Sequence, residues 1–153
     1  MSGPPDDMDI HDILARLERD SQHHMTGAPS DEAEIRDLES KCDIAVPADY
    51  RAFLTRFGGG IFYQQHEIFG PRRVMIHDIE MVPDLLSMRA SLPRITSEPI
   101  ADGYFPLHRG GGRIHLIDLR PGPDLGRVLG GTHEFPSLSG FLEAVVVPAG
   151  LVG

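Results

Sequence analysis

The stretch VPADYRAFLTRFGGG, residues 46–60, opens on a proline, carries apolar residues at helical spacing and stops on three glycines. Pro47 has its φ fixed at a helical value, and Asp49 sits in the first turn, where the positive end of the helix dipole favours an anion. Tyr50, Phe53, Leu54 and Phe57 fall on one face. Gly58 can enter the left-handed region that ends a helix, and Gly59 lets the backbone turn at once into the bulky residues of IFYQQHEIFG, which read as a strand pair. The stretch therefore marks the point at which helices give way to sheet.

On the N-terminal side the periodicity is helical. Ile10, Ile13, Leu14 and Leu17 recur at i, i+3, i+4 and i+7, the stripe of an amphipathic helix. SQHHMTGAPS (21–30) reads as a polar connector. Asp31 with Glu34 three residues on has the form of a capping box, opening a helix that turns Ile35, Leu38 and Cys42 inward and ends before Ile44.

On the C-terminal side β signals dominate. Val74 to His77 reads as a short strand, and HDIEMVPDLLSMR as a helical interruption restarted at Pro83. YFPLHRGGGRIHLID is a hairpin with Gly110 and Gly111 as turn residues. That turn pairs His108 with Arg113, Leu107 with Ile114, Pro106 with His115 and Phe105 with Leu116. Phe105, Leu107, Ile114 and Leu116 then share an apolar core face, while Tyr104, His108, Arg113 and His115 meet solvent or a partner. GRVLGG adds a strand, and PSLSGFLEAVVV a closing helix capped by Ser137. Helices, then antiparallel strands, then a helix, without βαβ alternation, predict an α+β fold: N-terminal helices packed on a mostly antiparallel sheet. The 153 residues read as one domain, with 1–8 expected to be flexible and 148–153 a tail.

Charge is informative by location. Residues 1–50 hold 13 Asp and Glu against four Lys and Arg, a net of −9, whereas the remainder balances ten against ten. Such a surface repels phosphate backbones and anionic membranes and speeds encounter with a basic partner, so direct nucleic-acid binding is not expected. An acidic N-terminus without an apolar stretch is unlike a secretory signal, and the nearly apolar run Ala144 to Val152 is about half of the ~20 residues a membrane span needs. Cys42 is the only cysteine, which excludes an internal disulfide and fits a reducing cytoplasm.

The residues carry no recognisable catalytic constellation. GGG at 110–112 lacks the Lys-Ser or Lys-Thr of a phosphate loop, and Ser137 and Ser139 lack a nucleophile elbow. The eight histidines do not fall at metal-ligand spacing, so neither a metal nor a cofactor is expected. His108 and His115, placed on the outer hairpin face, are the one pair of interest: two imidazoles that could bind a metal or titrate together, or serve merely as exposed polar sheet residues.

EIRDLESKCDIAVPADYRAFLTRFGGG resembles the leading block of the SUKH superfamily, named partly for a yeast cell-wall-synthesis regulator and abundant in bacteria. The matching positions are Leu38-Glu39, Pro47, Asp49-Tyr50, Phe53-Leu54 and Gly58-Gly59. YFPLHRGGGRIHLIDL is similar to the family's strand, glycine turn and strand, with Gly110 to Gly112 at the turn and Asp118 near its end, and PSLSGFLEAVVV resembles its terminal helix. Val46 stands where the family usually has Leu, and Arg113 where it often has a small polar or acidic residue. The resemblance implies a non-enzymatic binding protein of the toxin-immunity kind, which neutralises a cognate nuclease-type toxin in the cytoplasm. A regulatory adaptor like the yeast members is the alternative. The acidic residues Asp31, Glu32, Glu34 and Asp37, or the outer hairpin face with Tyr104, His108, Arg113 and His115, are the expected partner-binding surface.

Overall fold

The computed structural model describes residues 9–95, 102–130 and 132–152. The segment expected to be flexible, 1–8, lies outside them.

Helix α1 (Ile10–Arg19) buries the stripe Ile13, Leu14 and Leu17. The connector is more structured than its composition suggests: a short 3-10 turn at Ser21–His23 leads into a two-residue strand, β1 (Met25–Thr26). Helix α2 (Glu32–Cys42) opens on the expected capping box, with Glu34 N donating to Asp31 Oδ1 (2.8 Å) and Asp31 N donating to Glu34 Oε1 (3.1 Å). Asp43 ends it in the left-handed conformation. Helix α3 (Ala48–Arg56) starts one residue later than expected, because Pro47 keeps an extended ψ and serves as its N-cap. Tyr50, Phe53, Leu54 and Phe57 are all buried, and Phe53, Phe57 and Phe62 form a ring cluster with centroids 5.3–5.6 Å apart.

The junction itself is a steric device. Gly58 takes φ 73°, and a Cβ there would lie 2.0 Å from the Ala28 carbonyl oxygen. Gly70 presses on the other side, its own missing Cβ 2.3 Å from the Gly58 carbonyl oxygen. Gly59, with φ 110°, passes less closely, a Cβ there lying 3.0 Å from the Ile68 carbonyl oxygen. Three chain segments thus cross backbone to backbone where α3 meets the sheet.

Beyond it run β2 (Gly60–Phe62), β3 (His66–Ile68), β4 (Val74–Ile76), β5 (Ile79–Val82), α4 (Leu85–Ile95), β6 (Tyr104–Gly110), β7 (Arg113–Asp118), β8 (Val128–Gly130) and β9 (His133–Phe135). All pairings are antiparallel. One sheet has the order β1-β2-β3-β6-β7-β8-β9, and β4 and β5 form a separate two-stranded finger. Ile79–Val82, expected to be helical, is a strand: His77 and Asp78 both adopt positive φ and make a tight turn. The helix starts only after Asp84, whose carboxylate accepts from Ser87 N. The chain closes with α5 (Leu138–Phe141), capped by Ser137 as expected, a π-helical turn at Leu142–Val146 and α6 (Ala149–Val152). The wide turn brings Leu138, Phe141, Leu142, Val146 and Val147 together into the core. Part of the segment read as a tail is therefore a helical turn.

The hairpin register differs from the expected one. Gly111 and Gly112, with φ of 61° and 77°, are the turn residues, so Gly110 pairs with Arg113, Arg109 with Ile114 and His108 with His115. A bulge between Pro106 and His108, next to a residue that has no N–H for the ladder, then shifts the pairing by one, to Phe105 opposite Ile117 and Tyr104 opposite Asp118. His115, Ile117 and Asp118, rather than Ile114 and Leu116, become the buried residues of β7.

Gly58→Ala places a methyl group against immovable backbone at a left-handed φ. The expected loss is ~3 kcal/mol, read as a lower midpoint in chemical denaturation. An unchanged midpoint would refute the steric role of this junction.

Candidate functional site

Partner binding needs exposed side chains held in fixed positions, and α2 supplies them. Asp31, Glu32 and Asp37 are exposed and Glu34 is half-buried. Three of the four acids are not free charges, however. Arg51 bridges Glu32 and Glu39 at 2.8 Å each, Arg72 Nε lies 2.7 Å from Glu34, and Asp31 is committed to the cap. Asp37 alone of the four makes neither an ion pair nor a cap bond among the described residues. The Val46 amide and the Arg51 guanidinium, both donating to Glu39, hold its carboxyl below the usual range. On α1, Glu18 is paired with Arg56. The helical face is acidic, and ion pairs to α3 and to the loop before β4 hold it rigid.

The hairpin residues separate. Arg113 is exposed beside the ring of His133, with Nη1 3.1 Å from its Nε2. Tyr104 is half-buried, its hydroxyl accepting from Arg127 (3.3 Å) and its ring beneath Arg120. Asp118 is 1% exposed and binds both the backbone N–H and the guanidinium of Arg120, which hold its carboxyl below the usual range. The expectation that His108 and His115 are displayed is corrected: they are 1% and 3% exposed, because the bulge puts Phe105 and Ile117 on their face and Phe141 packs against both.

These two belong to a row of histidines that crosses the sheet. His66 Nδ1 lies 2.8 Å from His108 Nε2, and His108 Nδ1 lies 3.1 Å from His115 Nδ1. His133, at the sheet edge, stacks on His115 with centroids 6.0 Å apart. Gly130 on β8 makes the room, since a Cβ there would lie 2.2 Å from His115 Cδ2. Each N···N contact needs one proton, so the order is directional: either His108 donates to His66 and His115 to His108, or the reverse. In both orders His115 Nε2 is left buried without a partner among the described residues. Burial, reinforced by the neighbouring imidazoles, lowers His108 to about 3. Burial, with His133 and Arg113 adding to it, lowers His115 to about 4, and burial also lowers His66. Among the described residues no group of three or more His, Cys, Asp or Glu is arranged to hold a metal ion.

Two features escaped the sequence reading. His66, the third member of the row, is followed by Glu67 and has no partner histidine nearby in the sequence to single it out. The β4–β5 finger exposes Met75 (41%) and Ile79 (62%), the exposed large hydrophobics of the described chain. The alternation in VMIHDIEMV was the available signal, obscured by the absence of Gly or Asn at the turn.

Because the row is neutral when folded, the unfolded chain takes up protons first as pH falls. Stability is full above ~6.5, the ordinary histidine value, and declines as the pH falls from there towards the folded values. His108 alone should cost about 3 kcal/mol between pH 6.5 and 4. Urea denaturation across that range should show the decline, and a flat profile down to pH 5 would mean that the row is not neutral in the folded state.

No curated protein matches the chain. Among solved structures, a crystal structure of a protein from Pseudomonas syringae pv. tomato superposes with a TM-score of 0.65 at 14% identity, covering 90% of this chain and 98% of that one, which is a likeness of fold. No helix among the described residues is long and apolar enough to cross a membrane. The model of the SMI1 / KNR4 family (SUKH-1) matches residues 29–143, a span that runs from the connector before α2 through the histidine row and into the π-turn. The chain belongs to the SMI1 / KNR4 (SUKH-1) family.

Proposed function

We propose that this protein is a non-enzymatic protein-binding domain that acts as an immunity protein, neutralising a basic, nuclease-type toxin domain in the cytoplasm. The observation that carries the reading is the segregation of charge: a net of −9 confined to the first 50 residues, with Asp31, Glu32, Glu34, Asp37 and Glu39 outnumbering Arg36 and Lys41 on α2 and its cap. A nuclease attracts phosphate with a basic cleft, and a rigid acidic face complements that cleft and raises the association rate. Asp31, Glu32, Glu34 and Asp37 form the docking face, with Tyr104 and Arg113 as a second surface. His108 and His115 are left out because they are buried. Met75 and Ile79 add apolar area of the sort that anchors protein interfaces.

The test starts with the protein as bait in lysate of its own source at low and high salt. Capture of one basic domain, weakening as salt rises, supports the reading, and a gene for that domain beside this one strengthens it. Retention of several regulatory partners would instead favour an adaptor. With the captured domain in hand, the double variant Glu32→Lys, Asp37→Lys should lower the association rate about tenfold at low salt, with little change in dissociation. An unchanged rate would remove α2 from the interface.

A further inference from the structure

On the side of the sheet away from the β2–β3 turn, the end of α2, the start of β6 and the residues after β7 enclose a cleft of about 470 Å³. Its walls are preformed. Ala45 N donates to the Leu119 carbonyl and Leu119 N to the Gly103 carbonyl, both at 2.9 Å, so three backbone segments are tied together at the cleft. Lys41, Arg89 and Arg120 all line it.

The two arginines are pinned before any ligand arrives. Arg120 Nε and Nη2 bond the two oxygens of the buried Asp118 at 3.1 and 2.9 Å, and its guanidinium carbon sits 5.0 Å from the centre of the Tyr104 ring. Gly103, at φ 87°, exists in this form to admit it: a Cβ there would lie 2.0 Å from Arg120 Cγ. Arg89 Nε donates to the Tyr104 carbonyl (3.1 Å), with the guanidinium 4.4 Å from the centre of the Phe105 ring. Each guanidinium therefore spends one edge on the protein and keeps donors in reserve. Lys41 makes no ion pair among the described residues. Held guanidinium forks lose little entropy on binding an oxyanion.

We infer that this cleft binds the phosphate group of a small-molecule ligand. One guanidinium satisfies both oxygens of a carboxylate, whereas three cationic side chains around one cleft match the three terminal oxygens of a phosphate. Asp43 and Asp102 also line the cleft but are exposed and solvated; they offset the long-range field, so a single phosphate is favoured over a polyanion.

Cys42, which lines the same cleft and is the only thiol of the chain, reports occupancy directly. Its alkylation by iodoacetamide is followed while inorganic phosphate is titrated at constant ionic strength, with chloride and malonate as comparison anions. Saturable slowing with a midpoint on the order of 1 mM is expected for phosphate, with malonate weaker and chloride without effect. Arg89→Gln, which leaves the Asp118 contact intact, should shift the midpoint about tenfold, and Lys41→Gln should shift it by a smaller factor. Equal protection by chloride, or a phosphate midpoint unmoved in a folded Arg89→Gln protein, would overturn the site. Stronger protection by malonate would reassign the ligand to a carboxylate and overturn the phosphate assignment.

Discussion

The structure depends on a crossing at which side chains are forbidden. Gly58, Gly70 and the Ala28–Pro29 segment approach so closely that no Cβ fits at either glycine, and the same few residues end α3 and start the sheet. Hydrogen bonds hold the crossing from both sides: Ser30 N donates to the Leu54 carbonyl at 2.9 Å and Gly27 N to the Gly59 carbonyl at 3.0 Å. Because α3 is fixed here, Tyr50, Phe53, Leu54 and Phe57 have one orientation towards the core, and the Tyr50 hydroxyl reaches the Phe69 carbonyl at 2.5 Å. With its hydroxyl so placed and its ring fully buried, Tyr50 is held above its ordinary pKa by desolvation.

Polar side chains extend that order across the molecule. Asp49 at the start of α3 accepts from both Ser139 N and Ser139 Oγ, joining the first-turn donors of the closing helix to the helix at the crossing. A carboxylate between two helix N-termini is favoured by both dipoles. Asp118 does the corresponding work at the far end of the hairpin through Arg120. The histidine row sits between these two anchors, under Phe135 and Phe141, where its imidazoles satisfy one another instead of water.

The helical half was legible because its signals are local. A 3.6-residue stripe, a capping box and a proline followed by an acid each specify their own element whatever lies elsewhere, and α1, α2 and α3 form where those signals lie. The hairpin register was not legible for a local reason too: three consecutive glycines allow the turn to sit at 110–111 or 111–112, which moves every partner by two residues while leaving the faces unchanged. Pro106 then adds a bulge that alternation cannot anticipate. The bulge, which sets Phe105 and Ile117 on the same face as His108 and His115, hid the burial of the two histidines, and the contribution of His66 arises only because β3 and β6, 42 residues apart at the contact, become neighbours. The two-residue strand β1 has no periodicity to read; the sheet edge and the glycine crossing create it.

The acids of α2 show how one set of charges can serve folding and recognition together. Pairing with Arg51 and Arg72 lowers the net field of the helix, yet it fixes the carboxylates of Glu32 and Glu34 in place, so less side-chain entropy remains to be lost when a partner arrives. Electrostatics of this kind sets the rate of encounter more than the lifetime of a complex, since exposed pairs are worth little once formed. If α2 is the docking face, lifetime has to come from apolar area. In the described chain the large exposed apolar side chains are Met75 and Ile79, on a finger whose root residue Arg72 is ion-paired to Glu34 of α2. Register puts them on opposite faces of the finger, Ile79 beside Ile76 and Met75 opposite Glu80. A partner steered by α2 and retained by the finger must therefore take up its tip from both sides, as a cleft does and a flat surface does not.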